Sequence, residues 1–203
     1  MDYTTILISL AIVLGSLTVH EAAHAWTADR LGDPTARLLG RISFNPVVHI
    51  DPIGTILLPL VAAFSGLPIL GWAKPVPVNI SRLRDPRRDF MLVAAAGPAS
   101  NILLAVLAAI AIRLTVSGDA LTAPAALLQI VFINVLLAVF NLVPVPPLDG
   151  GNVLAGLLPR SLAGLFVAMR PYGFLLLYAL MFTGTLTAIV LPPSYFLIRL
   201  LLP

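Results

Sequence analysis

The chain has 203 residues, of which 59% are hydrophobic and only 10% are charged. This balance is too apolar for a soluble domain of that length and indicates an integral membrane protein. Cysteine is absent, which excludes disulfides, thiolate metal sites and a cysteine nucleophile. The net charge of +3 does not indicate nucleic-acid binding, because the basic residues lie in loops beside apolar stretches, where anionic lipid and membrane orientation account for them.

Four apolar stretches are long enough, or nearly so, to cross a hydrocarbon core that takes roughly 20 helical residues, and a fifth follows them. In chain order they are Ile6 to Trp26, Ile53 to Leu70, Phe90 to Val116, Ala125 to Val143 and Tyr172 to Leu191. We therefore predict an all-α integral membrane fold, a polytopic helix bundle that forms one domain over residues 1–203. Within it we expect a catalytic core at about 6–158 and a C-terminal helical region at 159–203.

A pair of histidines lies near the end of the first stretch. His20 and His24 are four residues apart, and Glu21 follows the first of them. On a helix this spacing stacks both imidazoles on one face. Such a pair can bind zinc, and Glu21 flanks the same face as a base for a metal-bound water. The alternative is a polar helix end at the membrane surface, but ionisable groups within an apolar span are costly and usually functional.

Two histidines do not complete a catalytic zinc site, which usually has three protein ligands and one open position. The remaining candidates are His49, Asp51, Asp149 and a few loop acids. Asp149 follows the fourth stretch in a segment where three prolines stop the helix and two glycines free the backbone. The alternative for Asp149 is a turn at the membrane surface, since Asp-Gly is a common turn pair.

Membrane topology bears on this choice. If Ile53 to Leu70 crossed the bilayer fully, the histidine pair and Asp149 would lie at opposite faces. Lys and Arg concentrate in cytoplasmic loops; three lie in Thr27 to Pro52, five in Gly71 to Asp89 and none in Ser117 to Pro124. Both basic loops are therefore expected on the cytoplasmic side. Two glycines and two prolines interrupt the second stretch, as expected for a re-entrant or interfacial segment between the first and third stretches.

With these features in place, the sequence resembles the site-2 protease family of intramembrane zinc metalloproteases, in its small bacterial branch without a PDZ domain. The resemblance rests on three motifs in the correct order: the HEAAH motif from His20 to His24, the GPASN motif from Gly97 to Asn101, and the segment from Asn141 to Gly150. Two further segments, Asn45 to Gly54 and Gly71 to Asn79, look like those of the same branch.

The resemblance implies that three residues bind one zinc ion per chain: His20, His24 and Asp149. It also implies that Glu21 is the catalytic base and that Asn141 assists the reacting carbonyl, with a helix-packing amide as the alternative for Asn141. The implied function is hydrolysis of peptide bonds in membrane-embedded protein or peptide substrates. The implied location is the cell membrane, which the chain crosses several times, with the active site toward the cytoplasmic side.

Two expectations concern the surroundings of this site. We expect His49 and Asp51 to lie near its mouth and to anchor the re-entrant segment rather than bind the zinc. An extended substrate could pair with an exposed strand edge, for which Val76 to Ile80 and Leu38 to Phe44 are the candidate stretches. Short loops of this composition are, however, more often connectors.

Two other functions fit part of the pattern. A non-catalytic membrane protein could keep the metal for structure, but such a site would not need Glu21 beside its ligand. A transporter or channel could use intramembrane histidines as an ion path. That function predicts related polar positions in paired helix halves, and the sequence contains no second copy. The sequence names neither a natural substrate nor an oligomeric state.

Overall fold

The computed structural model describes residues 3–65, 71–115 and 124–202. Every regular element in these ranges is helical, which confirms the predicted all-α class for the part of the chain that is described. The α-helices there are α1 Tyr3–Arg30, α2 Thr35–Leu38, α3 Leu58–Ser65, α4 Pro86–Thr115, α5 Ala125–Asn141, α6 Asp149–Leu157, α7 Arg160–Ala168, α8 Gly173–Phe182 and α9 Thr185–Leu201. Short 3-10 turns at Pro46–His49, Ile80–Arg82 and Arg170–Tyr172 and a π-helical turn at Pro52–Leu57 lie between them.

Two of these helices are long and apolar enough to cross a membrane. They are α1, with 28 residues, and α4, with 30 residues. Helices α8 and α9 form a further candidate span, which is bent by 78° at the break between them. Helix α5 is apolar but has only 17 residues. The chain is thus a multi-pass membrane protein that combines two long helices, a shorter apolar helix and a bent helix pair.

Contacts between α1 and α4 show that these helices run antiparallel. The His24 ring contacts the carbonyl oxygen of Val93, early in α4. The His20 ring, one turn earlier in α1, contacts Asn101, two turns later in α4. Because the second long helix reverses the direction of the first, the chain between them begins and ends at the same face of the bundle.

Helix α5, in contrast, runs parallel to α1. Ser9 contacts Gln129 at 3.5 Å near the start of both helices, and further along Ser16 accepts a hydrogen bond from Asn134 at 2.9 Å. The first and fourth predicted stretches therefore point in the same direction, as the re-entrant topology requires.

Residues at the start of the second predicted stretch, Ile53 to Leu70, are hydrogen-bonded to Trp72, just after it, an arrangement that fits the expected re-entrant or interfacial segment. The backbone N–H of Trp72 donates to the carbonyl oxygen of Gly54 at 3.1 Å, and the Thr55 hydroxyl donates to the carbonyl oxygen of Trp72 at 2.8 Å. A Cβ atom on Gly54 would lie 2.2 Å from Nε1 of Trp72, so only glycine permits this approach. The two ends of the stretch are thus joined, while residues 66–70 lie outside the described part of the chain.

The fifth predicted stretch, Tyr172 to Leu191, is not one continuous helix. Helix α8 ends at Phe182, and α9 begins after Gly184. Gly184 has a φ of 71°, a left-handed conformation that glycine adopts without strain and that turns the chain. Helix α9 then continues to Leu201, beyond the predicted end.

Two apolar clusters hold the bundle together. One joins the turn after α5 to α8 and α9 and consists of Val143, Leu148, Leu177, Leu186 and Val190. The other lies mainly between α4 and α5 and consists of Ala105, Ala108, Ala109, Ile112, Val131 and Val135. Its small residues allow close helix approach, as is typical of membrane bundles. Arg113 donates to the carbonyl oxygen of Leu201 and so ties the end of α4 to the end of α9.

Asp33 anchors the loops at the face where α1 ends. Its buried carboxylate accepts hydrogen bonds from the backbone and hydroxyl of Thr35 and from the backbone N–H of Asn79. Burial raises the pKa of Asp33, but these hydrogen bonds outweigh that effect, and the net shift is downward. Because Asn79 ends the segment Gly71 to Asn79, Asp33 holds one end of that segment in place.

We expect Asp33→Asn to lower the free energy of unfolding at pH 7 by about 1–3 kcal/mol, since an amide replaces a carboxylate that accepts several hydrogen bonds. The folded-state pKa lies below the unfolded value near about 3.9, so this stabilisation is present above about pH 4 and is lost as the pH falls through the folded pKa. Denaturation in detergent at several pH values measures the effect.

The matched control is Asp29→Asn, which removes a partly exposed ion pair with Arg37 and should cost no more than about 1 kcal/mol. A wild-type advantage over Asp33→Asn that is as large at pH 2 as at pH 7 would contradict the linkage to Asp33.

Candidate metal centre

Three predicted ligands converge in the structure. His20 and His24 lie on one buried face of α1, with their Nε2 atoms 3.0 Å apart. Oδ2 of Asp149 lies 3.0 Å from Nε2 of His20 and 3.3 Å from Nε2 of His24. Among the described residues, these three form a group of potential metal ligands whose atoms all lie within 4.8 Å of one another.

A tight turn delivers Asp149 to the histidines. Helix α5 ends at Asn141, and α6 begins at Asp149 after the proline-rich turn. A Cβ atom on Gly150 would lie 2.2 Å from the carbonyl oxygen of Leu142, so the start of α6 packs directly on the end of α5. Neither Gly150 nor Gly151 has a positive φ. The expectation that these glycines free the backbone is therefore wrong at this point, because Gly150 instead permits close packing.

Hydrogen bonds on the far side of each ring determine which nitrogen carries its proton. Nδ1 of His24 lies 2.7 Å from the carbonyl oxygen of Val93, which can only accept, so Nδ1 donates. Nδ1 of His20 lies 2.6 Å from Oδ1 of Asn101. In the neutral form, each imidazole then directs its Nε2 lone pair inward, toward the buried Oδ2 of Asp149. Three acceptor atoms thus face one another, an arrangement that a cation stabilises.

The space between these atoms fits zinc. Tetrahedral ligands at about 2.0–2.1 Å from zinc lie about 3.3 Å apart, close to the separations of 3.0–3.3 Å in this group. Gly97 on α4 faces the same space, because a Cβ atom there would lie 2.4 Å from Nε2 of His24 and 2.5 Å from Nε2 of His20. The missing side chain of Gly97 leaves room for an ion. Two imidazoles and one carboxylate are also a usual donor set for catalytic zinc.

A cavity of about 810 Å³ opens beside the three ligands. Glu21 and Asn141, the two predicted catalytic residues, both line it. Most of its remaining wall is apolar and comes from α1, α4, α5, α8 and the segment Gly71 to Asn79. Nδ2 of Asn141 donates to the carbonyl oxygen of Leu137 at 2.9 Å, which occupies one of its two N–H groups. The cavity therefore combines a metal-binding group, a carboxylate and an amide with walls suited to apolar side chains.

Arg41 is a buried positive charge near this cavity. Its guanidinium donates from Nη2 to the carbonyl oxygen of Lys74 and so holds the segment Gly71 to Asn79 against the loop after α2. Burial lowers the pKa of Arg41, and the negative charge of Glu21 opposes that shift. Arg41 therefore holds one wall of the cavity in place and also interacts electrostatically with Glu21.

His49 and Asp51 lie outside the group of three ligands. Nε2 of His49 contacts the carbonyl oxygen of Ser43 at 2.9 Å. The Asp51 carboxylate caps the π-helical turn by accepting from the backbone N–H groups of Ile53 and Gly54 at 3.0 and 2.7 Å. Both side chains serve the local backbone at the start of the re-entrant segment.

The two proposed strand edges differ in their position. No strand occurs among the residues that the structure describes. Val76 and Val78 line the cavity, whereas no residue from Leu38 to Phe44 does. The stretch Val76 to Ile80 therefore stays a candidate for substrate contact, whereas Leu38 to Phe44 contributes no residue to the cavity wall.

Sequence reasoning assigned no role to individual residues of the GPASN motif. Gly97 and Asn101 are four residues apart, which places both on the face of α4 that meets α1. Gly97 leaves space at the Nε2 side of His20, and Asn101 contacts its Nδ1 side. The i, i+4 spacing within the motif is the signal that could have indicated these roles.

Comparison with known proteins establishes the family. The model described as peptidase family M50 matches residues 117–182. The Bacillus subtilis (strain 168) protein named "Putative zinc metalloprotease YwhC" is 38% identical over 185 residues, which cover 88% of this chain and 81% of that protein. The chain belongs to peptidase family M50, the site-2 protease family.

Other relatives of this M50 peptidase are longer. A protein of Mycolicibacterium smegmatis named "Putative zinc metalloprotease Rip2" is 31% identical over 174 residues, covering 85% of this chain and 66% of that protein. The protein of the same name from Mycobacterium tuberculosis H37Rv is 34% identical over 138 residues, covering 68% and 52%. No solved structure matches the chain.

We expect Gly97→Ala in this M50 peptidase to abolish stoichiometric metal binding, because the new methyl group would occupy the space between the two Nε2 atoms. Metal content of the purified protein, determined by mass spectrometry, tests this. The control is Gly15→Ala on α1, where a Cβ atom would meet no other group within 4 Å. The Gly15→Ala protein should retain its metal and be more stable by about 1 kcal/mol, because alanine has a higher helix propensity than glycine. A Gly97→Ala protein with full metal content would place the metal elsewhere.

Proposed function

We propose that this M50 peptidase is a zinc metalloendopeptidase that hydrolyses peptide bonds of membrane-embedded substrates. The observation that carries the proposal is the convergence of His20, His24 and Asp149 beside Glu21 in a largely apolar cavity. The names of two relatives, "Putative zinc metalloprotease YwhC" and "Putative zinc metalloprotease Rip2", support it. The core at 6–158 contains every proposed metal ligand and catalytic residue, and we treat the chain as one domain.

In this proposal, His20, His24 and Asp149 hold one zinc ion. When bound, zinc lowers the pKa of a coordinated water toward about 7 and polarises a substrate carbonyl. The hydrogen bonds from Nδ1 of His20 and Nδ1 of His24 keep both Nε2 lone pairs directed at the metal position. The surrounding apolar side chains limit the access of bulk water.

Glu21 acts first as a base and then as an acid. Its carboxylate takes a proton from the attacking water while the water oxygen bonds to the peptide carbonyl carbon, and it returns a proton to the leaving nitrogen as the C–N bond breaks. One water is consumed, and one carboxyl and one amino terminus are formed. The second N–H of Asn141 donates to the carbonyl oxygen as negative charge develops there, a contribution worth about 10²–10³ in rate for donors of this kind.

The proposed substrate binds as an extended peptide. A helical substrate keeps its carbonyl groups in backbone hydrogen bonds, so the segment that is cut must unwind before attack. The apolar walls of the cavity suit a stretch with aliphatic side chains, and Val76 and Val78 offer backbone along one wall.

We expect Glu21→Gln to reduce kcat by roughly 10²–10⁴, since the amide cannot accept the proton, while zinc content stays close to one per chain because all three ligands remain. Cleavage of casein and of single-span membrane peptides by the purified protein measures the first quantity, and metal analysis measures the second. Asp29→Asn removes a carboxylate away from the cavity and serves as the charge control. Wild-type turnover by Glu21→Gln would show that another group activates water.

Cleavage assays and ion-flux measurements separate the rival functions. A structural metal site predicts wild-type protein that binds zinc and cleaves neither casein nor membrane peptides. A transporter predicts ion flux across proteoliposomes that contain the wild-type protein, and a change in that flux for Glu21→Gln.

We also propose that the site faces the cytoplasm. Residues 27–52 and 71–89 carry eight of the twelve basic residues, and the backbone N–H of Arg84 donates to the carbonyl oxygen of Leu31, which joins these two segments at one face.

Single-cysteine labelling tests this orientation in a chain that contains no cysteine. We expect Leu39→Cys and Ser81→Cys, both at exposed positions, to react with a membrane-impermeant maleimide in inside-out vesicles and not in intact cells. Labelling of both positions from outside would reverse the orientation. Labelling of the two positions from opposite sides would overturn the shared face of the loops.

A further inference from the structure

Three buried polar side chains, one from each of α1, α4 and α5, form a hydrogen-bonded chain that ends at His20. Nδ1 of His20 lies 2.6 Å from Oδ1 of Asn101. Nδ2 of Asn101 donates to Oδ1 of Asn134 at 2.8 Å, and Nδ2 of Asn134 donates to Oγ of Ser16 at 2.9 Å. Asn101 and Asn134 have no exposed surface. Polar side chains are costly within membrane spans, so the chain calls for a functional explanation.

Main-chain carbonyls determine the orientation of both amides. Nδ2 of Asn134 also donates to the carbonyl oxygen of Ile130 at 2.9 Å, and Nδ2 of Asn101 lies 3.4 Å from the carbonyl oxygen of Ser16. A carbonyl oxygen only accepts, so neither amide can be reversed without placing two acceptors together. Oδ1 of Asn101 therefore faces His20, and Nδ1 of His20 has to donate to it.

Without this partner, Asp149 would favour the wrong tautomer of His20. A neutral imidazole can carry its proton on either nitrogen. Oδ2 of Asp149 lies 3.0 Å from Nε2 of His20, close enough to accept a hydrogen bond from an Nε2–H group. That tautomer would satisfy the carboxylate but leave no lone pair at Nε2 for a metal.

We propose that Asn101, oriented by Asn134 and Ser16, is a positioning residue that keeps His20 in the tautomer with its proton on Nδ1 and its Nε2 lone pair free for zinc. The proposal rests on the proposed function, because it assumes that His20 is a zinc ligand. His24 needs no such residue, since its Nδ1 contacts the main-chain carbonyl of Val93.

Zinc affinity of the full-length protein in detergent tests the proposal independently of proteolysis. The protein is stripped of metal with a chelator and titrated with zinc against a chromophoric competitor. Loss of a hydrogen-bond partner behind a histidine ligand typically costs 10- to 100-fold in metal affinity. We therefore expect Asn101→Leu to raise the zinc Kd by about 10- to 100-fold and Asn134→Leu to raise it less. Absorption spectra of the cobalt-loaded proteins report the change in ligand geometry.

Asn101→Asp distinguishes positioning from packing. It keeps an oxygen that accepts from Nδ1 of His20 but loses the amide donors to Asn134 and Ser16. We expect it to bind zinc with nearly wild-type affinity even if its metal-free melting temperature falls. Ser194→Ala is the control, because it removes one buried hydrogen bond, to the carbonyl oxygen of Val190, within α9. It should leave the zinc Kd unchanged.

The outcomes separate this proposal from the proposed function. Wild-type zinc affinity in Asn101→Leu would overturn the positioning role and leave the peptidase proposal intact. Asn101→Asp could instead bind zinc as weakly as Asn101→Leu, with zinc affinity following the metal-free melting temperature across all variants. That result would show that the hydrogen-bonded side chains serve only helix packing. A raised Kd in Asn101→Leu together with full cleavage by Glu21→Gln would support the positioning role and overturn the catalytic one. If Asn101→Leu does not fold, Asn101→Asp and Asn134→Leu make the same comparison.

Discussion

Acceptor atoms repel one another unless a proton or a cation lies between them, and the centre of this protein brings three such atoms within 3.3 Å. The rest of the site follows from that constraint. Helix α1 supplies two of the atoms, and the turn after α5 brings Asp149 to them. Helix α4 leaves a space at Gly97 where the cation would lie. Because the proposed ligands come from both α1 and α6, bound metal would stabilise the packing of these helices.

The parts of the site that sequence could predict are those that depend on local geometry or on charge. The spacing of His20 and His24 places them on one face of any helix. Asp149 required an argument about topology, in which the distribution of arginines indicated that α1 and α5 run in the same direction. Both steps use rules that hold whatever the neighbouring helices do.

The remaining parts depend on how helices pack, which composition does not report. The face of α4 that meets α1 decides whether Gly97 and Asn101 contact the histidines, and hydropathy is nearly equal on all faces of such a span. The bend at Gly184 was missed although Thr183, Gly184 and Thr185 interrupt the apolar stretch, because a lone glycine does not show whether a helix continues or turns. Gly150 is the opposite case. Its presence in the sequence was noted, but its role, close packing against Leu142, was not predicted.

The C-terminal helical region contributes directly to the cavity. Phe174 and Leu177 of α8 line it, and the centroid of the Phe174 ring lies 5.0 Å from that of Trp72, which also lines the cavity. Leu177 also packs with Val143 and Leu148, on either side of the turn that leads to Asp149. The position of α8 therefore affects both the width of the cavity and the placement of a ligand.

The length of α5 has a consequence for the surrounding lipid. Its 17 residues span about 25 Å, less than the hydrocarbon thickness of about 30 Å. A bilayer adapts to such a hydrophobic mismatch by thinning next to the short helix. Leu137, Phe140 and Asn141 place this helix along the cavity, so thinning at α5 would lie beside the proposed ligands. Under the proposed function, a substrate helix beside α5 would be longer than such a thinned bilayer, and water would compete for the hydrogen bonds at its ends. Thinning of the membrane would then favour unwinding of the peptide before it reaches the cavity.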